Sequence, residues 1–387
     1  MNLELSEEQS AVRDLAASFT DREVVPHAAE WDRAESVDRA IIGKLAKVGF
    51  LGLTIPEEYG GSGGDHLAYC LVLEELGRGD SAVRGIVSVS LGLVGKSVNA
   101  FGTEEQKRHW LPRLTSGEAL GCFALTEPGT GSDAANLTTR AVRDGDNWLI
   151  SGAKTFITNG TWADVALVFA RTGGDGPDRQ GHRGITAFLV PTDLPGFTRT
   201  GIHGKLGLRG QATAGLSFEN VRVPDSARLG EVGKGFTVAM AALAKGRMSV
   251  AAGCVGIARA CLEAAVRYAG EREQFGKPIA SHQLVQELLA GIAVDVEAAR
   301  LLTWKVADHI ERGLPFATES SIAKLYASEA AVRAANNALQ VFGGYGFIDE
   351  YPVGKYLRDA RVMTLYEGTS QIHQLLIGRA LTGVNAF

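Results

Sequence analysis

The sequence is short of cysteine, with Cys70, Cys122, Cys254 and Cys261 the only four in 387 residues, none in CxxC spacing. That argues against a disulfide scaffold or a thiolate zinc site. Cys254 and Cys261 lie in an apolar helical pattern and read as small buried thiols. The eight histidines are scattered, with no HExxH pair, so no metal site is expected. Excess positive charge is missing too. A net charge of -5 offers no basic field for nucleic acid. Met1 to Glu8 is acidic without an apolar signal core, and no apolar run reads as long enough to cross a membrane. A cytoplasmic protein without a membrane partner is expected. Repeats, low-complexity segments and long linkers are also lacking.

Apolar residues at 45% and charged residues at 21% describe a globular chain long enough for two or three domains. The first third reads as helices. Ser6-Glu7-Glu8-Gln9 and Thr103-Glu104-Glu105-Gln106 are capping boxes. Ile41, Ile42, Leu45 and Val48 share one helical face, and two apolar helices are expected over 65–76 and 81–101. The glycine-rich loop Pro56 to Gly64 follows a helical segment, so it is not a dinucleotide fingerprint. After Gly121 the period changes. Asp144-Gly145 before Trp148-Leu149-Ile150 signals a hairpin, and 164–170, 185–190 and 216–223 read as strands. The Gly- and charge-rich stretch from Gly173 to Gly184 reads as an exposed, mobile loop. From Gly233 helices return over 249–270, along the Leu284, Leu288, Ile292, Val296 stripe, and over 322–339. The expectation is α+β: a helical domain (1–120), an antiparallel β domain (121–228) and a helical bundle (229–387).

Five segments carry polar or aromatic groups suited to chemistry. In Leu365-Tyr366-Glu367-Gly368-Thr369-Ser370-Gln371 a carboxylate sits beside an aromatic ring, where desolvation raises its pKa and strengthens it as a base. The same residues would serve as an ordinary helix cap. Cys122 to Asp133 ends a strand in a turn rich in backbone donors, suited to an anionic or carbonyl-rich ligand or to nothing beyond turning. Phe156 and Thr158, two residues apart, would share one face of a strand as a platform for a planar ring, or as core. Arg272-Glu273-Gln274-Phe275-Gly276 offers a guanidinium for phosphate and a ring for stacking, or a plain helix end. Gln340 to Gly346 places glycines just past a helix.

Taken in this order over an α, β, α layout, the five segments resemble the acyl-CoA dehydrogenase family along essentially the whole chain. The resemblance implies a homotetramer with one FAD per subunit, whose β domain is a sandwich and whose C-terminal domain is a four-helix bundle. It implies that Phe123, Leu125, Thr126, Gly131 and Ser132 touch the flavin ring and diphosphate, and that Phe156 and Thr158 lie against the isoalloxazine. Many relatives carry tryptophan where Phe156 stands. Arg272, Phe275, Gln340, Gly343 and Gly344 would reach the FAD of a neighbouring subunit, with Thr369 and Gln371 holding FAD beside the base. Glu367 would take the α-proton of an acyl-CoA while the β-hydrogen leaves as hydride to flavin, with electrons passing to an electron-transferring flavoprotein. Ser88, Ser132, Arg247, Tyr366 and Gly368 would contact substrate.

Some members place the base immediately before an arginine matching Arg247. Here that position is Gly246, which leaves Glu367 alone and resembles short-chain members. Arg84 marks a second departure. With Asp80, Ser81, Ser88, Val89 and the C-terminal Ile377 to Gly383 it resembles the glutaryl-CoA branch, where the arginine binds a distal carboxylate, although Gly77 and Gly85 break that pattern. An acyl group on a carrier protein is a further alternative, since it presents the same pantetheine arm.

Overall fold

The computed structural model of the chain describes residues 4–173 and 181–385. Helix α1 (Glu7–Glu23) opens at the first capping box, where the Gln9 N–H donates to Ser6 Oγ (3.1 Å) and the Ser6 N–H to Gln9 Oε1 (3.0 Å). α2 (Ala28–Ala34) and α3 (Ile41–Lys47) follow. Asp65 caps α4 (His66–Gly79) by accepting the Ala68 N–H. The apolar run from Ser81 is α5 (Ser81–Val89), a π-helical segment (Ser90–Gly95) and α6 (Lys96–Phe101). π-Helical turns gather at functional sites. The second capping box, Thr103 with Gln106, opens α7 (Glu104–Thr115).

The sheet contains β1 (Gly121–Ala124), β2 (Arg140–Asp144), β3 (Asn147–Ile157), β4 (Val165–Arg171), β5 (Ile185–Pro191), β6 (Phe197–Gly201), β7 (Ala214–Pro224) and β8 (Arg228–Leu229). Their order is β6-β7-β3-β2-β4-β5-β8, with β1 on β4. The hairpin expected at Asp144-Gly145 joins β2 to β3. The sheet is antiparallel apart from β1, which runs parallel to β4, and the single parallel pair Arg140↔Arg171 that joins the two halves. Those halves close on each other. Trp148, Ile150 and Phe218 share a core with Val168 and Phe188, and the Trp148 and Phe188 rings lie 5.6 Å apart. The opposite faces of β4 and β5, carrying Leu167, Phe169 and Leu189, enter the helical core. Burial on both faces explains the unbroken apolar runs of these two strands. Gly181–Gly184 forms a helical turn, and the rest of the loop expected over 173–184 lies largely outside the described residues.

The C-terminal helices are α8 (Gly235–Glu271), α9 (Gln283–Glu311), α10 (Ala317–Phe342), α11 (Val353–Met363) and α12 (Ser370–Thr382). α8 begins at Gly235 rather than at Ser249, and packs on α4, α5, α9, α10 and β5. Its glycines admit close neighbours: a Cβ on Gly77 of α4 would stand 2.6 Å from the Gly253 carbonyl oxygen. Two helical stretches, 81–101 and α8, prove long and apolar enough to span a membrane by length and composition, contrary to expectation. Their most apolar windows are 100% and 72% buried inside the fold, so core packing accounts for them. All four cysteines are buried and free. Among the described residues no group of three or more His, Cys, Asp or Glu is placed to hold a metal.

Candidate active site

Glu367 lies in the short connection between α11 and α12. Thr369 caps α12 by accepting the Ile372 N–H, and the Ser370 N–H reaches back to the Thr364 carbonyl. This clamp holds Glu367 at φ +51 and Gly368 at φ +101. Left-handed backbone is strained for a non-glycine residue, and such strain gathers at functional sites. Seven described non-glycine residues adopt positive φ, and apart from two asparagines, which tolerate it, they are Glu35, Phe156, Leu208, Phe275 and Glu367. Three of those five belong to segments singled out from sequence. Lys324 secures the turn from below, its Nζ donating to the Gly368 carbonyl at 2.6 Å. The Glu367 N–H finds no acceptor among the described residues.

The carboxylate points into a space that Gly246 leaves open. A Cβ at Gly246 would overlap Glu367 Oε2 and come within 2.8 Å of Leu93. Positions 246 and 367 therefore converge on one point, and only one of them can hold a side chain there. Oε2 is buried without a hydrogen-bond partner. Burial pushes the Glu367 carboxyl up to about 7, while Arg84, Lys324 and Arg247 pull against that rise. Burial also lowers Lys324 to about 8 and depresses Arg247, whose Nη1 donates to Ser321 Oγ at 3.3 Å. His373, beneath Gly368, is fully buried and held near 3, by burial first and by Lys324 and Arg247 second. It is therefore neutral.

Arg84 is 1% exposed. Its Nη1 donates to Ser88 Oγ (3.0 Å) and its Nη2 to Tyr366 Oη (2.5 Å), while Nε has no partner. No carboxylate among the described residues pairs with it. Burial holds the Tyr366 phenol at about 12, so it stays neutral. Buried Arg84, Ser88 and Gly246 thus stand together with half-buried Tyr366, Arg247 and Glu367.

The turn after β1 is fixed by a group the sequence reading passed over. Buried Glu127 accepts from Thr138 N (2.6 Å), Thr139 N (2.8 Å) and Lys154 Nζ (2.9 Å), and Lys154 also reaches the Leu125 carbonyl. Despite burial, Lys154 and the two threonines hold Glu127 at about 2. Beyond this anchor Gly131 and Ser132 are exposed, whereas Phe123 and Thr126 are half-buried and Leu125 is buried. One expectation fails here. Phe156 and Thr158 do not share a strand face, because β3 bulges between Lys154 and Ile157 and Phe156 turns left-handed at φ +57. The result is a ring 70% exposed at the end of a pinned strand. Thr158 Oγ1 donates to Gln211 Oε1, and Asn159 Nδ2 donates to the Gly121 carbonyl. An exposed aromatic ring, an open glycine turn and the buried, unpartnered Thr130 hydroxyl fit the FAD that the resemblance implies.

A second cluster stands at the far end of α8. Arg272 caps that helix and lies over the Tyr345 ring at 5.4 Å. Phe275 is 93% exposed at φ +54, Gln340, Gly343 and Gly344 are exposed, and a Cβ on either glycine would meet nothing within 4 Å. From Gly246 to Arg272 is about 39 Å along the helix, so this chain does not bring Arg272, Phe275, Gln340, Gly343 or Gly344 to Glu367. Thr369 and Gln371 stay beside Glu367, Thr369 as a cap and Gln371 exposed on the first turn of α12.

Sequence reasoning passed over Lys324, His373, Tyr69, Lys96, Gln211 and the Glu127–Lys154 pair. Lys324 had one available signal, a lysine amid the alanines and serines of a buried helix face.

Sequence profiles described as the N-terminal, middle and C-terminal domains of acyl-CoA dehydrogenase match residues 6–118, 122–221 and 233–382. The chain is 44% identical to an acyl-CoA dehydrogenase of Bacillus subtilis (strain 168), covering 98% of this chain and 100% of that protein. It is 42% identical to the mitochondrial short-chain specific acyl-CoA dehydrogenase of Bos taurus, covering 97% and 90%. Among solved structures, a chain from work on the electron transferring flavoprotein of Acidaminococcus fermentans superposes with TM-score 0.96 at 41% identity, covering 99% and 100%. The butyryl-CoA dehydrogenase of Megasphaera elsdenii gives 0.95 at 40%, covering 98% and 100%. A glutaryl-CoA dehydrogenase of Mycobacterium smegmatis in complex with FADH2 gives 0.94 at 37%, covering 99% and 96%.

Proposed function

The chain belongs to the acyl-CoA dehydrogenase family, and on that premise we propose that Glu367 is the base in its FAD-dependent α,β-dehydrogenation of a short-chain acyl-CoA. The observation that carries the assignment is the Glu367 carboxylate: buried, unbonded at Oε2, raised to about 7, and alone in the space Gly246 leaves. Such a group takes a proton readily near neutral pH. The unpartnered Glu367 N–H is positioned to polarise the thioester carbonyl as charge develops on its oxygen. FAD, when bound, accepts the hydride. Phe123, Leu125, Thr126, Gly131 and Ser132 would hold it along the β1 turn, Phe156 and Thr158 at its ring, and Thr369 and Gln371 beside the base. Arg247, Tyr366 and Gly368 would line the substrate, with Ser132 at its outer end. Lys324 holds the turn that aims Glu367, and neutral His373 fills the space beneath it without adding charge.

The remote cluster at Arg272 supports a homotetramer. Arg272 stands about 39 Å along α8 from Gly246, which faces Glu367, further than one dinucleotide spans, so Arg272, Phe275, Gln340, Gly343 and Gly344 would serve a neighbouring subunit's FAD. The exposed Phe275, Phe347 and Leu284 side chains suit burial between copies. Similarity to a chain solved in work on an electron transferring flavoprotein supports such a flavoprotein as electron acceptor.

A second reading concerns the substrate's far end. Arg84 is a buried guanidinium without a carboxylate partner, an arrangement that is costly unless an anion arrives. An ω-carboxylate would supply it. The departures at Gly77 and Gly85 count against this, and the Gly253 backbone and the Gln211 amide occupy the space that side chains there would need. An anaerobic screen of acyl-CoAs, following bleaching of the flavin, tests both readings. Butyryl-CoA as best substrate supports the short monoacid, and glutaryl-CoA as best substrate, lost in Arg84→Ala, supports the diacid. Bleaching by neither and by no other short acyl-CoA would sink the assignment.

A further inference from the structure

Resting on the short-acyl reading, we propose that Tyr69 sets the depth of the acyl pocket and hence the chain length this enzyme accepts. Three positions on one stripe of α8 mark the course of the pocket. Gly246 faces the Glu367 carboxylate and Leu93, Ser249 faces the Tyr69 hydroxyl at 3.4 Å, and Gly253 faces Arg84. α8 is partly open over 243–245 and buried without a break from Met248 to Ala258. A chain presenting its α-carbon to Glu367 therefore enters from the open side and runs toward the buried one. Ser249 lies three residues past Gly246, about 4.5 Å at the helical rise. That is the length of a few carbon atoms, and Tyr69 stands at its end.

The phenol has no slack. Tyr69 is fully buried, and its hydroxyl takes the space a Cβ at Gly92 would need, 2.5 Å away. Gly92 lies in the π-helical segment, where the wider turn presents a bare backbone to the ring. Behind the ring, Lys96 Nζ lies 4.0 Å above its centroid, buried and without a hydrogen-bond partner among the described residues. Burial lowers its pKa to about 7, and its protonated form is held there by cation–π attraction and holds the ring in return. Ser249, Gly92 and Lys96 thus fix Tyr69 from three elements. The Arg84-held Tyr366 closes the other side of the same buried end.

The experiment measures kcat/KM for butyryl-, hexanoyl- and octanoyl-CoA in wild type, Tyr69→Phe and Tyr69→Ala. Tyr69→Ala should raise the octanoyl-to-butyryl ratio by about 30-fold or more, because pocket discrimination runs about tenfold or more per methylene. Tyr69→Phe should stay within about threefold of wild type, since ring bulk is what stops the chain. Lys96→Met should move the ratio the same way as Tyr69→Ala, by less. Where Tyr69→Ala loses its fold, Tyr69→Leu carries the same comparison in smaller steps. An unchanged ratio in an alanine or leucine variant that retains FAD would overturn the proposal. Calorimetry with butyl- and octyl-CoA thioethers separates this from the functional reading. Wild type that binds the butyl compound at least about tenfold tighter, yet turns over no acyl-CoA, fails the reading and keeps the pocket depth. Equal affinities in wild type remove Tyr69 as the stop.

Discussion

The turn at Glu367 and the end of α8 at Arg272 both carry glycines, an aromatic ring and charged groups, and both hold a strained non-glycine residue. They differ in burial. Around Glu367 the charges are Arg84, Lys324 and Arg247, withdrawn from water and shifting one another's protonation. Around Arg272 the phenylalanine is 93% exposed, with only the His282 ring edge-on at 5.9 Å, and a Cβ on Gly343 or Gly344 would meet nothing within 4 Å. A buried constellation can do proton chemistry by itself, since a low dielectric is what moves a carboxyl to the working pH. An exposed one gains strength only when a partner covers it. On the proposed reading one region serves reaction and the other assembly.

The contrast is broken most directly at its chemical end. Glu367→Gln keeps the shape of the turn and removes the base, so FAD should stay bound while the rate falls by about three orders of magnitude or more. Near-normal flavin bleaching in that variant would end the assignment. Gly246→Ala is the sharper probe, because it removes no functional group and only pushes the carboxylate aside. A displacement on that scale costs about 100-fold in rate, and binding of FAD should not change. An unaltered rate would mean that Glu367 swings away from Gly246 to work.

How far the two regions could be read from sequence follows the same division. Signals that act over a few residues were legible: both capping boxes, the Asp144-Gly145 hairpin, and the glycine turns at Gly131 and Gly343. Family resemblance supplied roles that no local pattern contained. What escaped depends on distant partners. Glu127 is an ordinary turn acid until Lys154, from β3, arrives beside it. Phe156 alternates correctly for a strand, and only the bulge against β7 turns its ring outward. The helical period that returns at Gly233 agrees with a start at Gly235, but the continuity of α8 through Ser249 was not read, because glycine and alanine positions in between leave the stripe uneven. β6 presents Thr198, Arg199 and Thr200 to solvent, so it has no apolar alternation to read.

The assembly end answers to Arg272→Ala. The turn chemistry is about 39 Å away along α8, so catalysis per bound flavin should be unchanged. Retention of FAD on dilution, and the tetramer with it, should weaken by about tenfold or more, since a charge-assisted contact across a boundary is lost. Sedimentation velocity with flavin absorbance reads both at once. A stable tetramer with undiminished flavin would return Arg272 to its local partner, Tyr345.

The smallest effect is the most diagnostic of the buried region, because rate and stability should move in opposite directions over one pH window. Glu367 acts as base only when ionised, so kcat/KM should rise about tenfold per unit on the acid side and level off above about 7. Stability has the reverse sign. A carboxyl whose folded pKa lies above its ordinary 4.5 binds more protons folded than unfolded between 4.5 and about 7, so the fold loses stability as pH rises through that window. Below 4.5 the group is protonated in both states and costs nothing. Above about 7 it is ionised in both and the full cost remains. Other carboxylates titrate in the same range, so the measurement is the difference in thermal stability between wild type and Glu367→Gln from pH 4.5 to 8. That difference should grow against wild type with rising pH and flatten near 7, while the activity of wild type climbs. If the difference stays flat across the window, Glu367 keeps an ordinary carboxylate pKa in solution. Its power as a base must then come from the turn geometry and from substrate binding rather than from burial.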